Sequence, residues 1–369
     1  MALSGDGGTA IIAAPSNDGT ASNAGHVRVW DYDSGVGHWE HIGDDIDGEA
    51  GSDKSGYAVS VSSDGTVVAV GAIKNDGNGD NAGHVRVYAL SSGSWSQQVE
   101  FDGEVAGDRF GYSVSLSAAG TRLIVGAPKN GGNGDLSGHA RIFDDNGDTT
   151  WSVVGADIDG SAAGDEAGSS VAVSGDGSVV CVGAPQHSSA KGNVRCYEFE
   201  DNLWSLLGSP IVGADNGEES GTSIALSTGG STPIVCVGAP KHASNKGTVR
   251  VFRYESWADP LPAWVQLSSD VDGSANDLFG SVVSIAAGGG SFVAGGPGND
   301  LARVYESLPS WQQQGDDLEG AEGSGFGSAV SMADDGDTVV VGAPEAGDGG
   351  RAYIYAWASN AWTGLAVDE

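Results

Sequence analysis

The chain has 369 residues, 62 of them Gly, and its 50 carboxylates against 16 Lys and Arg give a formal net charge of −34 at pH 7. That charge excludes nucleic acid and anionic membrane as partners, since both demand a positive surface. It permits cation binding and suits a saline medium, where screening relieves self-repulsion.

A hydrophobic content of 39% with ten Trp is enough for a packed core and unlike a disordered acidic chain. Length alone leaves room for more than one domain. No roughly 18-residue apolar stretch is present, so no membrane-spanning helix is expected. No basic region followed by an apolar run opens the sequence as a signal peptide would. Cys181, Cys196 and Cys236 each replace an apolar residue within a strand-like run. Buried thiols are the default reading, and Cys181 and Cys196 could face each other across one hairpin.

Taken in chain order, short Val/Ile-rich runs alternate with Gly, Ser, Asp and Asn, the pattern of many strands joined by tight turns. The first run ends in AAP at 13–15, and the same feature returns as GAI at 71–73 and GAP at 126–128, 183–185 and 238–240. GGP at 295–297 and GAP at 342–344 complete the series, with spacings of 58, 55, 57, 55, 57 and 47 residues. A second series, a strand reading like VRVY, ends at Trp30, Tyr88, Phe143, Tyr197, Phe252, Tyr305 and Tyr355. A third is a Trp soon afterwards: Trp39, Trp95, Trp151, Trp204, Trp264, Trp311 and Trp362. All three series have seven members.

Each unit holds four strand-like runs. In the third they are FGYSVSL from Phe110, TRLIVGAP from Thr121, HARIF from His139 and WSVVGADI from Trp151. Four strands per unit without a helix between them predict an all-β fold, a single seven-bladed β-propeller over 1–369 with antiparallel blades. Ser on the inner runs is small enough to let neighbouring sheets approach. Met1 and Leu3 align with Val59 and Val61, so the first blade is expected to lack most of its innermost strand.

The loops joining strand two to three, and those joining one blade to the next, should emerge on one face, and both are acidic or amide-rich. The first kind is longest in the first three units: SNDGTASNAG, KNDGNGDNAG and KNGGNGDLSG. Within it, Asp76, Asn78 and Asp80 recur at every second position, the pattern of hard-cation ligands, with Ca²⁺ as the ion they would take; the same residues also simply make turns. Asp157 with Asp159, and Asp270 with Asp272, are weaker cation candidates, the alternative being that they cap backbone N–H groups and pair with Arg. Arg28, Arg86, Arg141, Arg195, Arg250 and Arg303 occupy one position of strand three. A charge partly buried between blades must be paired, so these Arg, like the seven Trp, are read as structural. His26, His84 and His139 also share one position, and His187 and His242 follow the GAP triplet in units four and five; both sets suit a structural hydrogen bond better than a metal site. No zinc spacing, nucleophile elbow or P-loop is found.

The pairing of Phe110-Gly111, Phe279-Gly280 and Phe326-Gly327 with a Gly-Ala-Pro triplet one strand later resembles the FG-GAP repeat, which builds the seven-bladed head of integrin α subunits. Ser55, Ala167 and Ser220 stand where Phe is expected. Integrin-like repeats often carry a calcium loop between these two strands; here the connections SSDGT, SAAGT and SGDGS are tight turns with too few oxygen ligands. The resemblance implies an extracellular or cell-surface binding or adhesion module that takes a protein or glycan through one loop face, with neither nucleic acid nor direct membrane insertion. No polar constellation breaks the repeat, so the chain is expected not to be an enzyme, a sugar lyase or hydrolase being the lesser alternative. A further alternative is an architectural part of a larger chain or assembly, with blade one completed by a donated strand.

Overall fold

The computed structural model describes residues 1–147, 150–227, 229, 232–257, 262–307 and 310–365. Among these, the chain forms seven antiparallel sheets arranged as a propeller. In the third blade Ser113–Leu116 pairs with Arg122–Ala127, which pairs with His139–Asp145, which pairs with Trp151–Val153. The first blade is four-stranded, but its innermost strand is only Ala2–Leu3, in register with Ile11 and Ala10.

Five blades add a fifth, two-residue strand that the sequence did not suggest: Ile46–Asp47, Ile158–Asp159, Ile211–Val212, Val271–Asp272 and Leu318–Glu319. Each returns to pair with strand three of its own blade. The Asp-Ile-Asp stretch is therefore strand rather than loop. Ile158 enters the core while Asp157 and Asp159 point the other way, as period-2 alternation requires.

The apolar cores lie between blades. Val85, Val87 and Ala69 of blade two pack with Leu123, Val125 and Phe110 of blade three, and the same arrangement recurs at every junction. The ring closes likewise, with Val340 and Ile354 of blade seven against Leu3, Ala10 and Trp39 of blade one. Polar contacts reinforce the closure: Leu3 N donates to Ser331 Oγ at 3.0 Å and Asp334 N to Gly5 O at 2.8 Å. Elsewhere Ser60 Oγ accepts from Leu116 N, and Ser115 Oγ from Val173 N. The inner-strand Ser residues are thus hydrogen-bonded bridges as well as small spacers.

At the outer edge, Trp95, Trp204, Trp264 and Trp362 donate Nε1–H to the carbonyls of Ile42, Val154, Leu207 and Gln314 in the preceding blade, at 2.8–3.1 Å. Trp39 is buried without such a partner for Nε1. Cys181 and Cys196 face each other in register across strands two and three of blade four and are joined by a disulfide, while Cys236 is a buried free thiol.

A recurrent close contact between blades is Gly on Gly. A Cβ at Gly126 of blade three would overlap the carbonyl oxygen of Gly168 in blade four, whose φ of 86° itself favours glycine. Gly126→Ala should therefore cost about 3 kcal/mol, at the upper end of overpacking penalties. Gly288→Ala, where nothing lies within 4 Å, should be near neutral. Urea unfolding of the two variants measures the difference.

Candidate functional site

Both classes of loop emerge on one face, and the strand-three Arg residues organise it. Arg303 places Nη1 3.0 Å from Asp277, where the chain enters blade six, and Nη2 2.9 Å from Asp317, where it leaves. Arg250 repeats this with Glu218 at 2.7 Å and Asp270 at 2.8 Å. Arg141 reaches Glu104 and Asp157, and Arg28 reaches Asp45. Arg86 and Arg195 lean on the backbone carbonyls of Asp47 and Asp159. In blades three, five and six the guanidinium thus clamps the entry loop to the exit loop. Burial alone would raise the Glu218 pKa, but hydrogen bonds from Arg250 and His242 outweigh it and hold the carboxyl below its ordinary range.

A row of buried carboxylates lies nearer the axis. Asp53, Asp108, Asp165, Glu218 and Asp277 stand two residues before the FG-type dipeptide, with Ser324 in the last copy. Each carboxylate accepts a backbone N–H three or four residues upstream, from Ala50, Val105, Ala162, Ala214 and Ser274 respectively. Each also holds a side chain from the loop after the GAP triplet. In blades two, three and six this is Asn75, Asn130 and Asn299, at 2.7–3.2 Å. In blades four and five it is His187 Nδ1 on Asp165 at 3.0 Å and His242 Nδ1 on Glu218 at 2.8 Å. This row lay outside the sequence-based expectations, although an acid two positions before five of six such dipeptides was visible.

The neighbouring arc differs in charge. The residue after the buried acid is Lys54 in blade two and Arg109 in blade three, but Glu166 and Glu219 in blades four and five. Lys129 pairs with Glu166 at 2.5 Å, and Glu219 takes both Lys241 at 2.9 Å and Gln186 at 3.0 Å. The axial channel holds a cavity of 260 Å³ whose lining alternates apolar side chains such as Val59, Val114 and Met332 with Ser60, Ser115, Ser284 and Asp334. The ionisable groups that differ between blades cluster instead at the loop-face mouth, which is the candidate site.

The expected cation ligands fall in two groups. Asp76, Asn78 and Asp80 are each engaged in hydrogen bonds of their own loop or its neighbour. Asp76 braces the Asn81 N–H, Asn78 donates to the carbonyls of Gly103 and Glu104, and Asp80 meets the Asn81 amide. The alternating spacing serves loop hydrogen bonds. Asp157 is brought together with Glu104 and His139, and Asp270 and Asp272 with His242, ligand atoms within 4.8 Å. In each the guanidinium of Arg141 or Arg250 already stands among the carboxylates.

The family model for the FG-GAP repeat matches residues 95–143 and 317–355; the chain is a seven-bladed propeller carrying FG-GAP repeats. No curated protein matches its sequence. Its fold is shared along nearly the whole length with solved structures of low identity. A protein described as a 6-phosphogluconolactonase from Bacteroides uniformis has a TM-score of 0.66 at 12% identity, covering 98% of this chain and 97% of the other. The periplasmic gluconolactonase of Pseudomonas aeruginosa has a TM-score of 0.63 at 14% identity, covering 97% and 94%. Hydrazine synthase of Kuenenia stuttgartiensis has a TM-score of 0.58 at 16% identity, covering 100% and 95%.

These neighbours overturn the expectation of an adhesion module that is not an enzyme. That expectation took the fold as pointing to surface recognition, whereas the three structures named above that share it carry enzyme names. Its second premise, that nothing polar breaks the repeat, fails at His187 and His242.

The strand-three His residues behave differently. Burial first, and then Arg86, push His84 down to about 4; burial likewise lowers His26 and His139. A folded pKa below the ordinary 6.5 means that the unfolded chain binds the proton more readily. Stability is then complete above pH 6.5 and falls as the pH drops towards 4. His84 should account for about 2 kcal/mol of stability lost between pH 7.5 and 5. In His84→Asn the urea-unfolding free energy should change correspondingly less over that interval.

Proposed function

We propose that the chain is a hydrolase that opens the lactone of a small sugar acid at the loop-face mouth of the channel. The observation that carries this reading is the replacement of the sister blades' Asn by His187 and His242, each with Nδ1 on a buried carboxylate. An acceptor at Nδ1 places the ring proton there and leaves the Nε2 lone pair outward as a general base. Both rings are partly exposed, and among the described residues nothing engages either Nε2.

The chemistry follows directly. Nε2 takes a proton from water as the water oxygen bonds to the lactone carbonyl carbon. The tetrahedral intermediate collapses with cleavage of the ring C–O bond, and the proton passes to the departing ring oxygen. The product is the open hydroxy acid. The names of the two lactonases above support this choice of substrate. The Cys181–Cys196 disulfide supports an oxidising compartment.

Proton release from glucono-δ-lactone in a pH-stat tests the reading, using the intact chain, His187→Asn and His242→Asn. Each substitution copies a sister blade, so unfolding temperature should hold while at least one variant loses about 10²–10⁴-fold in rate. Absence of hydrolysis above the spontaneous rate, or full activity in both variants, would sink it.

A further inference from the structure

We propose that blades two and three present, on the adjoining arc of the same mouth, a binding site for a phosphate-type oxyanion. Among the described residues the side chains of Lys74 and Arg109 have no hydrogen-bond or ion-pair partner, a condition shared by Lys191 and Lys246 of blades four and five; what sets the first two apart is that they stand beside further cations. Lys54 is held by neutral groups only, Ser16 Oγ at 2.7 Å and Asn23 Oδ1 at 2.9 Å.

The backbone brings these cations together. Lys74 N donates to Asp53 O at 3.1 Å, which sets Lys74 beside Lys54; Lys129 N donates to Asp108 O at 3.3 Å, which sets Lys129 beside Arg109. Tyr57 and Tyr112 join the two blades, their ring centroids 5.1 Å apart. Lys54 and Arg109 adopt left-handed backbone, with φ of 60° and 57°. The adjacent acids do not neutralise them directly: Asp53 and Asp108 are buried and turned onto Ala50 N and Asn75, and onto Val105 N and Asn130.

Three cations, two of them unpaired, with Lys129 shared with Glu166, form a fork for the oxygens of a doubly charged tetrahedral anion. Arg109 can bind it bidentately while the Lys residues act as point charges. The blade four and five equivalents Glu166 and Glu219 would repel the same group, which orients a ligand lying across the mouth. The inference stands on these cations and not on the hydrolase reading; if both hold, the substrate is a phosphorylated sugar lactone.

Isothermal titration of the intact chain with inorganic phosphate tests it. Phosphate should bind the wild type, and Lys74→Ala/Arg109→Ala should weaken binding at least about tenfold, equivalent to 1.4 kcal/mol. Lys246→Ala, a solvent-exposed cation of blade five, should leave it unchanged. Lys74→Gln alone, titrated in parallel, keeps the test decisive if the double variant unfolds. No binding to the wild type, or equal affinity in Lys74→Gln and Lys246→Ala, would overturn the site. The readout is binding rather than turnover, so failure here leaves the lactone assay to be judged separately.

Discussion

The structure depends on a contact in which two backbones meet without a side chain between them. In five of the seven GAP-like triplets the glycine lies against the carbonyl of the FG-position glycine in the next blade, as in Gly71 on Gly111, Gly126 on Gly168 and Gly238 on Gly280, while at the first junction the small Ala13 stands against Gly56. Only there can adjacent sheets approach closely enough for their Val and Ile faces to form the inter-blade cores. At the last junction the side chain of Met1 occupies the corresponding space beside Gly342, and the ring still closes on apolar packing. Because burial is shared between neighbours, no blade has a core of its own. The propeller must form as a ring.

A second constraint acts at the loop face, where each FG turn leaves backbone N–H groups pointing inward. A buried carboxylate at its start satisfies one and grips the following loop through an Asn or His. This device is structural in every copy where it occurs, since the backbone bond is the same whether the partner is Asn75 or His242. Function enters through variation on it. Two blades change the partner to an ionisable ring, and two others change the next residue from an acid to a cation. A seven-fold scaffold thus acquires an asymmetric mouth without altering its backbone, consistent with chemistry residing in sites grafted on a fold.

The global charge of −34 conceals this local pattern. Arg250, Arg303 and Arg141 are consumed in holding entry and exit loops together, and Arg122 pairs with Asp144. Of the cations left without an acidic partner, Lys54, Lys74 and Arg109 belong to the adjoining blades two and three. A net charge describes solubility and long-range partners; it says little about a mouth a few residues wide.

The sequence by itself determined the architecture. Seven copies of a triplet, of a strand and of a Trp, with four alternating runs between them, admit only a repeated sheet closed upon itself, and even the two-residue stub of blade one was legible from the alignment of Leu3 with Val61. The apolar periodicity is local, so a linear reading captures it. What lay beyond that reading were contacts between residues about 20 apart in one blade or about 55 apart in successive blades. Asp165 with His187, Arg303 between Asp277 and Asp317, and Lys129 beside Glu166 exist because antiparallel pairing and radial stacking bring those positions together. Spacing along a loop, as in Asp76, Asn78 and Asp80, likewise does not state where each side chain finds its hydrogen bond. Only the tertiary structure decided which polar residues brace the frame and which remain free to meet a ligand.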